Sequence, residues 1–381
     1  MSISTPESPA EARTLLEDKF GNPAADAMTP YERVNAAINL RQPDRVPFDF
    51  WGVPETIEKL KNYLGAEDTE EMLQLLGVDC RIVIPDYIGP ELEKLDDGTF
   101  YTEWGSHRRI VSNEFSEYEE YASFPLAACK TAAVVMNWEK WPQTGCWDWG
   151  KVPFQIQAWN KDVPYHVRYD VGGIFESAWG LYGLDRFLTD LYDNPEVPCA
   201  IMDCFTDRFI DNFRSLMDVA KGQIELVYTY DDVATQNSLL MSPRMWRKFI
   251  LPRHQRLNKV IKEHEVKIMY HSCGAVYPLI RPWIDEMGID ILNPLQPRAK
   301  GMDMKKIKTE FGKEIAFHGG VDLQHTLPYG SQQDVLDEVR HLCSTLGRGG
   351  GYICTSAHYI QADVPVENIV ALYLAPRHVD G

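Results

Sequence analysis

No apolar run in this 381-residue chain reaches the ~18 to 20 residues that span a bilayer. The polar, acidic start from Met1 to Glu17 also lacks the basic and apolar regions of a secretory signal. These absences point to a cytoplasmic protein with no membrane attachment. Positive charge is scarce: 38 Lys and Arg stand against 56 Asp and Glu, for a net charge of -18. The basic residues are dispersed and no nucleic-acid motif is present, which excludes a general nucleic-acid binder. The eight cysteines lie far apart, which excludes a disulfide scaffold and suits a reducing compartment. There is no Gly-x-Gly-x-x-Gly after a strand, no Walker A loop, no Gly-x-Ser-x-Gly elbow and no internal repeat. Acid pairs without a shared local frame leave a glycosidase unsupported.

What is present is a regular alternation of short apolar strands with amphipathic helices, clearest from Val276 to Leu374. Repeated strand and helix imply a parallel sheet. About eight strand candidates, several ending in Asp, His, Asn or Cys, imply an α/β TIM (β/α)8 barrel whose active face lies at the strand ends. Residues 1–27 read as an N-terminal leader and 28–381 as one barrel domain. Thr29-Pro30-Tyr31-Glu32 and Ser242-Pro243 are helix starts, with a capping side chain before a proline at the first helical position. Residues 87–168 differ in texture, with Trp104, Trp138, Trp141, Trp147, Trp149 and Trp159 among turns. They read as an inserted antiparallel excursion, serving as a lid or wall or as a surface elaboration.

Two stretches carry metal-binding chemistry. Val266 to Gly274 leads five strand-like residues into His271 and Cys273, whose i,i+2 spacing places both side chains on one face of an extended chain. Gly349 to Cys354 runs three glycines into a short strand that ends at a thiol. His271, Cys273 and Cys354 together supply the three ligands of a catalytic zinc with an open position. The bland alternative is three ordinary buried residues, since free Cys is commonly buried. Glu176 is a candidate exchangeable fourth ligand. Asp231 and Asp232 follow a strand and are candidates to orient a substrate or act as an acid, or simply to cap a helix. His318, before Gly319-Gly320, and His358, four residues after Cys354, are candidates for ligand contact or for support of the metal. Gly319 and Gly350 are places where backbone can approach a cofactor. Asp49, at the end of the first strand Val46–Gly52, faces a site or caps the next helix.

Several segments resemble the uroporphyrinogen decarboxylase superfamily: Arg41-Gln42-Pro43-Asp44-Arg45-Val46-Pro47, Ser242-Pro243 with Phe249 and Pro252, Phe317-His318-Gly319-Gly320-Val321-Asp322, and Gly349 to Cys354 with His358 and Pro365-Val366-Glu367-Asn368-Ile369. The resemblance implies the barrel fold. The decarboxylase branch carries an arginine-rich stretch after the first strand, and Phe48 to Pro54 lacks those arginines. The zinc-dependent methyltransferase branch carries His-x-Cys and a later Cys, which His271, Cys273 and Cys354 match. That branch implies methyl transfer between a small molecule (a methoxylated aromatic, a methylamine or a thiol) and the cobalt of a corrinoid. With no Asp-x-His-x-x-Gly signature in the chain, the corrinoid is expected on a separate partner protein; a homodimer is a further expectation. The alternatives are a metal-independent lyase acting on a cyclic carboxylate through Asp49, Asp231 or Asp232, and a non-catalytic barrel that binds a small ligand.

Overall fold

The computed structural model describes residues 5–377. In chain order its strands are β1 (Cys80–Val83), β2 (Phe100–Tyr101), β3 (His107–Ser112), β4 (Glu117–Ser123), β5 (His166–Gly173), β6 (Leu226–Tyr230), β7 (Lys267–His271), β8 (Ile291–Asn293), β9 (Ala316–Val321) and β10 (Tyr352–Ser356). Seven of them form one curled parallel sheet in the order β1–β5–β6–β7–β8–β9–β10. Helices cover its outer face, so the strands are buried on both sides; β9 is buried at each of its positions.

The gap between β10 and β1 is bridged by residues 46–52. Cys354 N donates to Pro47 O at 2.9 Å, Asp49 N to Cys354 O at 3.0 Å, and Asp79 N to Phe48 O at 2.8 Å. Pro47 has no N–H to give, so this segment makes bridges rather than a regular ladder. The (β/α)8 barrel expected from the sequence is therefore realised in distorted form, as seven regular strands and one irregular closing segment.

Alternation along the strands sorts side chains between the barrel interior and the helical layer. Cys80, Leu226, Met269, Ile291, Ala316 and Ile353 fill the interior, closed at the bottom by Val34, Ala37 and Ile38 of the helix Pro30–Ile38. That helix begins with the capping box expected at Thr29 and Glu32. Two residues further along the strands the interior turns polar, with Arg168, His271, Asn293 and His318 joined by Asp49, all buried. The charged groups thus lie toward the C-terminal strand ends, above an apolar floor.

The glycine run before β10 lies at the opposite end from that polar layer. Gly349, Gly350 and Gly351 have φ of +78°, +84° and +76°, and a Cβ on Gly350 would lie 2.3 Å from Arg41 O. Gly351 N donates to Ala37 O at 3.0 Å and Lys308 Nζ to Gly350 O at 2.6 Å. The run locks β10 to the floor helix, and Gly350 is corrected from cofactor contact to backbone packing.

The helix Pro9–Phe20 seats Ala12 and Leu16 in the core, and Lys19 Nζ donates to the carbonyls of Leu374 and Ala375 at 2.6 and 2.9 Å. Within the insertion, β2, β3 and β4 form a separate antiparallel sheet. Its tryptophans mostly anchor it: Trp104 and Trp141 pack 5.8 and 5.1 Å from Phe205 on the long helix Glu196–Ala220.

Candidate metal centre at the barrel mouth

β7 delivers His271 to the mouth, and a sharp turn fixes Cys273 beside it. Gly274 has φ +93°, and a Cβ there would meet Thr235 O at 2.5 Å, so the turn requires glycine. Cys273 N donates to Asp232 Oδ1 at 2.6 Å, and Cys273 Sγ lies 3.4 Å from His271 Nε2. His358 arrives from the loop after β10 with its ring centroid 5.6 Å from that of His271. One donor atom from each of His271, Cys273 and His358 falls within 4.8 Å of the others. Two imidazole nitrogens and one sulfur so close together match the donor types and spacing of a tetrahedral zinc site with an open position.

A buried hydrogen-bond chain sets the tautomers. Asp49 Oδ2 accepts from Trp51 Nε1 at 2.8 Å, from His318 Nε2 at 3.0 Å and from Arg168 Nη1. A carboxylate can only accept, so His318 carries its proton on Nε2 and presents a bare Nδ1. Asn293 Nδ2 donates to that Nδ1 at 2.6 Å, which turns Asn293 Oδ1 toward His271 Nδ1 at 2.5 Å. His271 must then carry its proton on Nδ1, leaving the Nε2 lone pair directed at Cys273. This is the support expected behind a metal-bound histidine.

Burial and the charges of Asp232 and Asp231 push the Glu176 carboxyl up to about 8, and burial pushes Asp170 up to about 7. The Cys273 thiol rises well above its ordinary value through burial and the carboxylates of Asp232 and Glu176. Burial lowers His271 to about 4 and also lowers His358 and His318. Asp49 stays ionised against its burial because of Arg168 and His318. Acids held protonated around neutral imidazoles are what a divalent ion would reverse.

The residues singled out from sequence divide sharply. His271 and Cys273 meet as their spacing requires. Cys354 does not join them: Ile353 takes the interior position of β10, and Cys354 points outward into the helical layer against Cys343 of the helix Gln332–Leu346. Strand parity turns that thiol away from the mouth, and the third donor near His271 and Cys273 is His358. Of the two roles open to Asp231, the structure places it as a helix cap. Its Oδ1 accepts from Phe175 N and Glu176 N at 2.6 and 3.0 Å, and its Oδ2 bonds His254 Nε2 at 2.6 Å, so it docks the helix Ile174–Tyr182 by its N-terminus. Asp232 stays at the centre, with Oδ1 3.6 Å from His271 Nε2. Glu176 lies alongside, Oε1 accepting from Asp232 N at 2.6 Å.

His318 supports the centre through Asn293 rather than facing the mouth. Gly319 is a packing residue, where a Cβ would sit 3.3 Å from Pro294 Cβ and 3.4 Å from Ser356 O. Sequence reasoning passed over Asn293, Arg168 and Asp170. Asn293 ends β8 beside His271 in the β7–β8 register, a signal available from the strand pattern. Asp170 sits at an irregularity in the β5–β6 pairing, and its Oδ1 is buried without a hydrogen-bond partner.

The model of the family described as uroporphyrinogen decarboxylase (URO-D) matches residues 161–378, more than half of the chain. A methylated-thiol–coenzyme M methyltransferase of Methanosarcina mazei is 26% identical over 212 residues, 54% of this chain and 53% of that protein. The chain thus aligns with about half the length of that relative. A uroporphyrinogen decarboxylase of Geobacter metallireducens is 22% identical over 317 residues, 81% of this chain and 82% of that one. Among solved structures, a methyltransferase from Methanosarcina mazei superposes with a TM-score of 0.61 at 18% identity, covering 91% of this chain and 97% of its own. That likeness shows the fold. With its distorted barrel and this match over residues 161–378, the chain belongs to the uroporphyrinogen decarboxylase (URO-D) family.

Proposed function

We propose that the chain is a zinc-dependent methyltransferase that moves a methyl group between a small molecule and the cobalt of a separate corrinoid protein. The observation that carries the reading is the convergence of His271, Cys273 and His358 at the strand ends, with the His271 tautomer preset by Asn293. The similarity to a methylated-thiol methyltransferase over half of each chain supports it. These three residues would hold zinc, which would supply a Lewis acid at the heteroatom bearing the methyl group. Two neutral imidazoles and one thiolate donate less charge than the one-imidazole, two-thiolate set expected from sequence. The set therefore favours polarising an ether oxygen or an amine over holding a thiol.

The chain's own groups complete the chemistry. Glu176 stands beside the centre, its Oε1 on Asp232 N, where it can return a proton to the departing heteroatom. Asp232 fixes the Cys273 backbone. Arg168 is spent on Asp49 and is not free to hold a substrate carboxylate. The test is zinc analysis together with methylation of a reduced corrinoid protein, read by absorbance, across methylated thiols, amines and aryl ethers. The expected result is one zinc per chain and transfer that Cys273→Ser and His358→Ala abolish. Full turnover by metal-free protein would overturn the proposal.

A further inference from the structure

Between the inserted sheet and the barrel mouth lies a cavity of about 250 Å³. Trp104, Tyr121, Leu181 and Phe205 give it apolar and aromatic walls, and Glu176 with Tyr230 forms its side toward the metal centre. The helix Ile174–Tyr182 makes room by using Gly180, where a Cβ would lie 2.4 Å from the Tyr121 hydroxyl. Tyr121 can then lie close against that helix, its ring 5.3 Å from Trp179. Such a volume suits one ring with small substituents.

Arg108 also lines this cavity. Its Nε donates to Ser106 Oγ at 3.0 Å, and its guanidinium carbon lies 3.6 Å from the Tyr121 ring centroid. Among the described residues it makes no ion pair with a carboxylate, whereas its neighbour Arg109, on the other face of β3, pairs with Glu120 at 2.8 Å. In a chain of net charge -18, a guanidinium stacked and oriented at a cavity yet left without an acid is a ready anion site, because its planar fork matches carboxylate geometry. Two carboxylates, Glu103 and Glu176, line the same cavity, and among the described residues neither forms an ion pair with Arg108.

We propose that this cavity binds the methyl donor and selects a monocyclic aromatic methyl ether carrying an anionic substituent. The anion sits on Arg108, the ring among Trp104, Tyr121 and Phe205, and the ether oxygen toward Glu176 and the metal centre. The inference rests on the methyltransferase reading and narrows it to a substrate class. In the transfer the oxygen keeps the electron pair of the broken O–CH3 bond and takes a proton. The methyl carbon bonds to the electron pair of cobalt(I) on the corrinoid protein. The insertion thereby acts as the specificity wall of a barrel whose chemistry lies in the strand ends.

Calorimetric titration of the full zinc-loaded chain with 4-methoxybenzoate and with the uncharged 4-methoxytoluene tests the proposal. The wild type should bind the carboxylate at least about tenfold more tightly than the neutral ether. Arg108→Met should erase that preference while leaving zinc content unchanged, and Arg108→Lys should keep part of it. Equal affinity of wild type and Arg108→Met for 4-methoxybenzoate would overturn it. Because binding is read without a corrinoid protein, a failure of methyl transfer leaves this result standing. Conversely, zinc-dependent transfer from a non-aromatic donor together with no carboxylate preference would overturn the pocket alone.

Discussion

Cys273 follows β7 and is partly buried, whereas Cys354 lies within β10 of the same sheet and is fully buried, and the two face opposite sides of it. Cys273 comes after a strand whose last residue, His271, points inward, and a glycine turn keeps the thiol over the barrel mouth. Cys354 sits in mid-strand between Ile353 and Thr355, one residue out of phase with the interior, and packs on Cys343. The difference teaches that a ligand is specified by its parity along the strand as much as by its residue type. A one-residue shift exchanges a side chain at the barrel mouth for one in the core.

The sharpest way to break this comparison is to exchange the two thiols separately. Cys273→Ser should lose bound zinc on dialysis and reduce methyl transfer to background, whereas Cys354→Ser should keep both, as read by metal analysis and turnover. If Cys354→Ser lost its zinc, the parity assignment would be wrong. Next in size is the support behind His271. Asn293→Leu removes the acceptor at His271 Nδ1 and should weaken zinc binding by about 10–100-fold, measured by competition with a chelator; unchanged affinity would detach the hydrogen-bond chain from the metal.

A smaller effect concerns stability. Cys354→Ala trims a fully buried side chain and should cost about 1–2 kcal/mol in denaturant unfolding while sparing activity. The smallest is a pH slope in the metal-free protein. Glu176 and Asp170, raised to about 8 and 7, bind protons in the folded state that the unfolded chain has already released. Their contribution is complete below the unfolded carboxyl values and fades as pH rises through 7 and 8, so the melting temperature should fall over that range. His271, lowered to about 4 from 6.5, acts oppositely, and its contribution is lost as pH falls from 6.5 toward 4. Glu176→Gln should flatten the upper slope, and an unaltered slope would show that Glu176 is not the proton holder.

Much of the fold is readable from local signals, because caps and periodicity are local. Thr29 with Glu32, Ser242 before Pro243, and the helix from Val366 all appear where their residues place them. The His-x-Cys pair is readable for the same reason, since two residues along an extended chain share a face. Cys354 is not legible as a core residue from its glycine-led approach, because β10 runs on from Tyr352 to Ser356 with Ile353 inward. His358 lies in the loop beyond, where no periodicity applies. Asp49 and Arg168 are 119 residues apart and meet only through barrel closure.

The most direct test counts sulfur at the metal. X-ray absorption at the zinc edge of the purified, zinc-loaded protein should show one sulfur at about 2.3 Å and nitrogen or oxygen donors at about 2.0–2.1 Å. This is the shell of Cys273 with His271 and His358. A shell with two sulfurs would return Cys354 to the metal and contradict the centre described above.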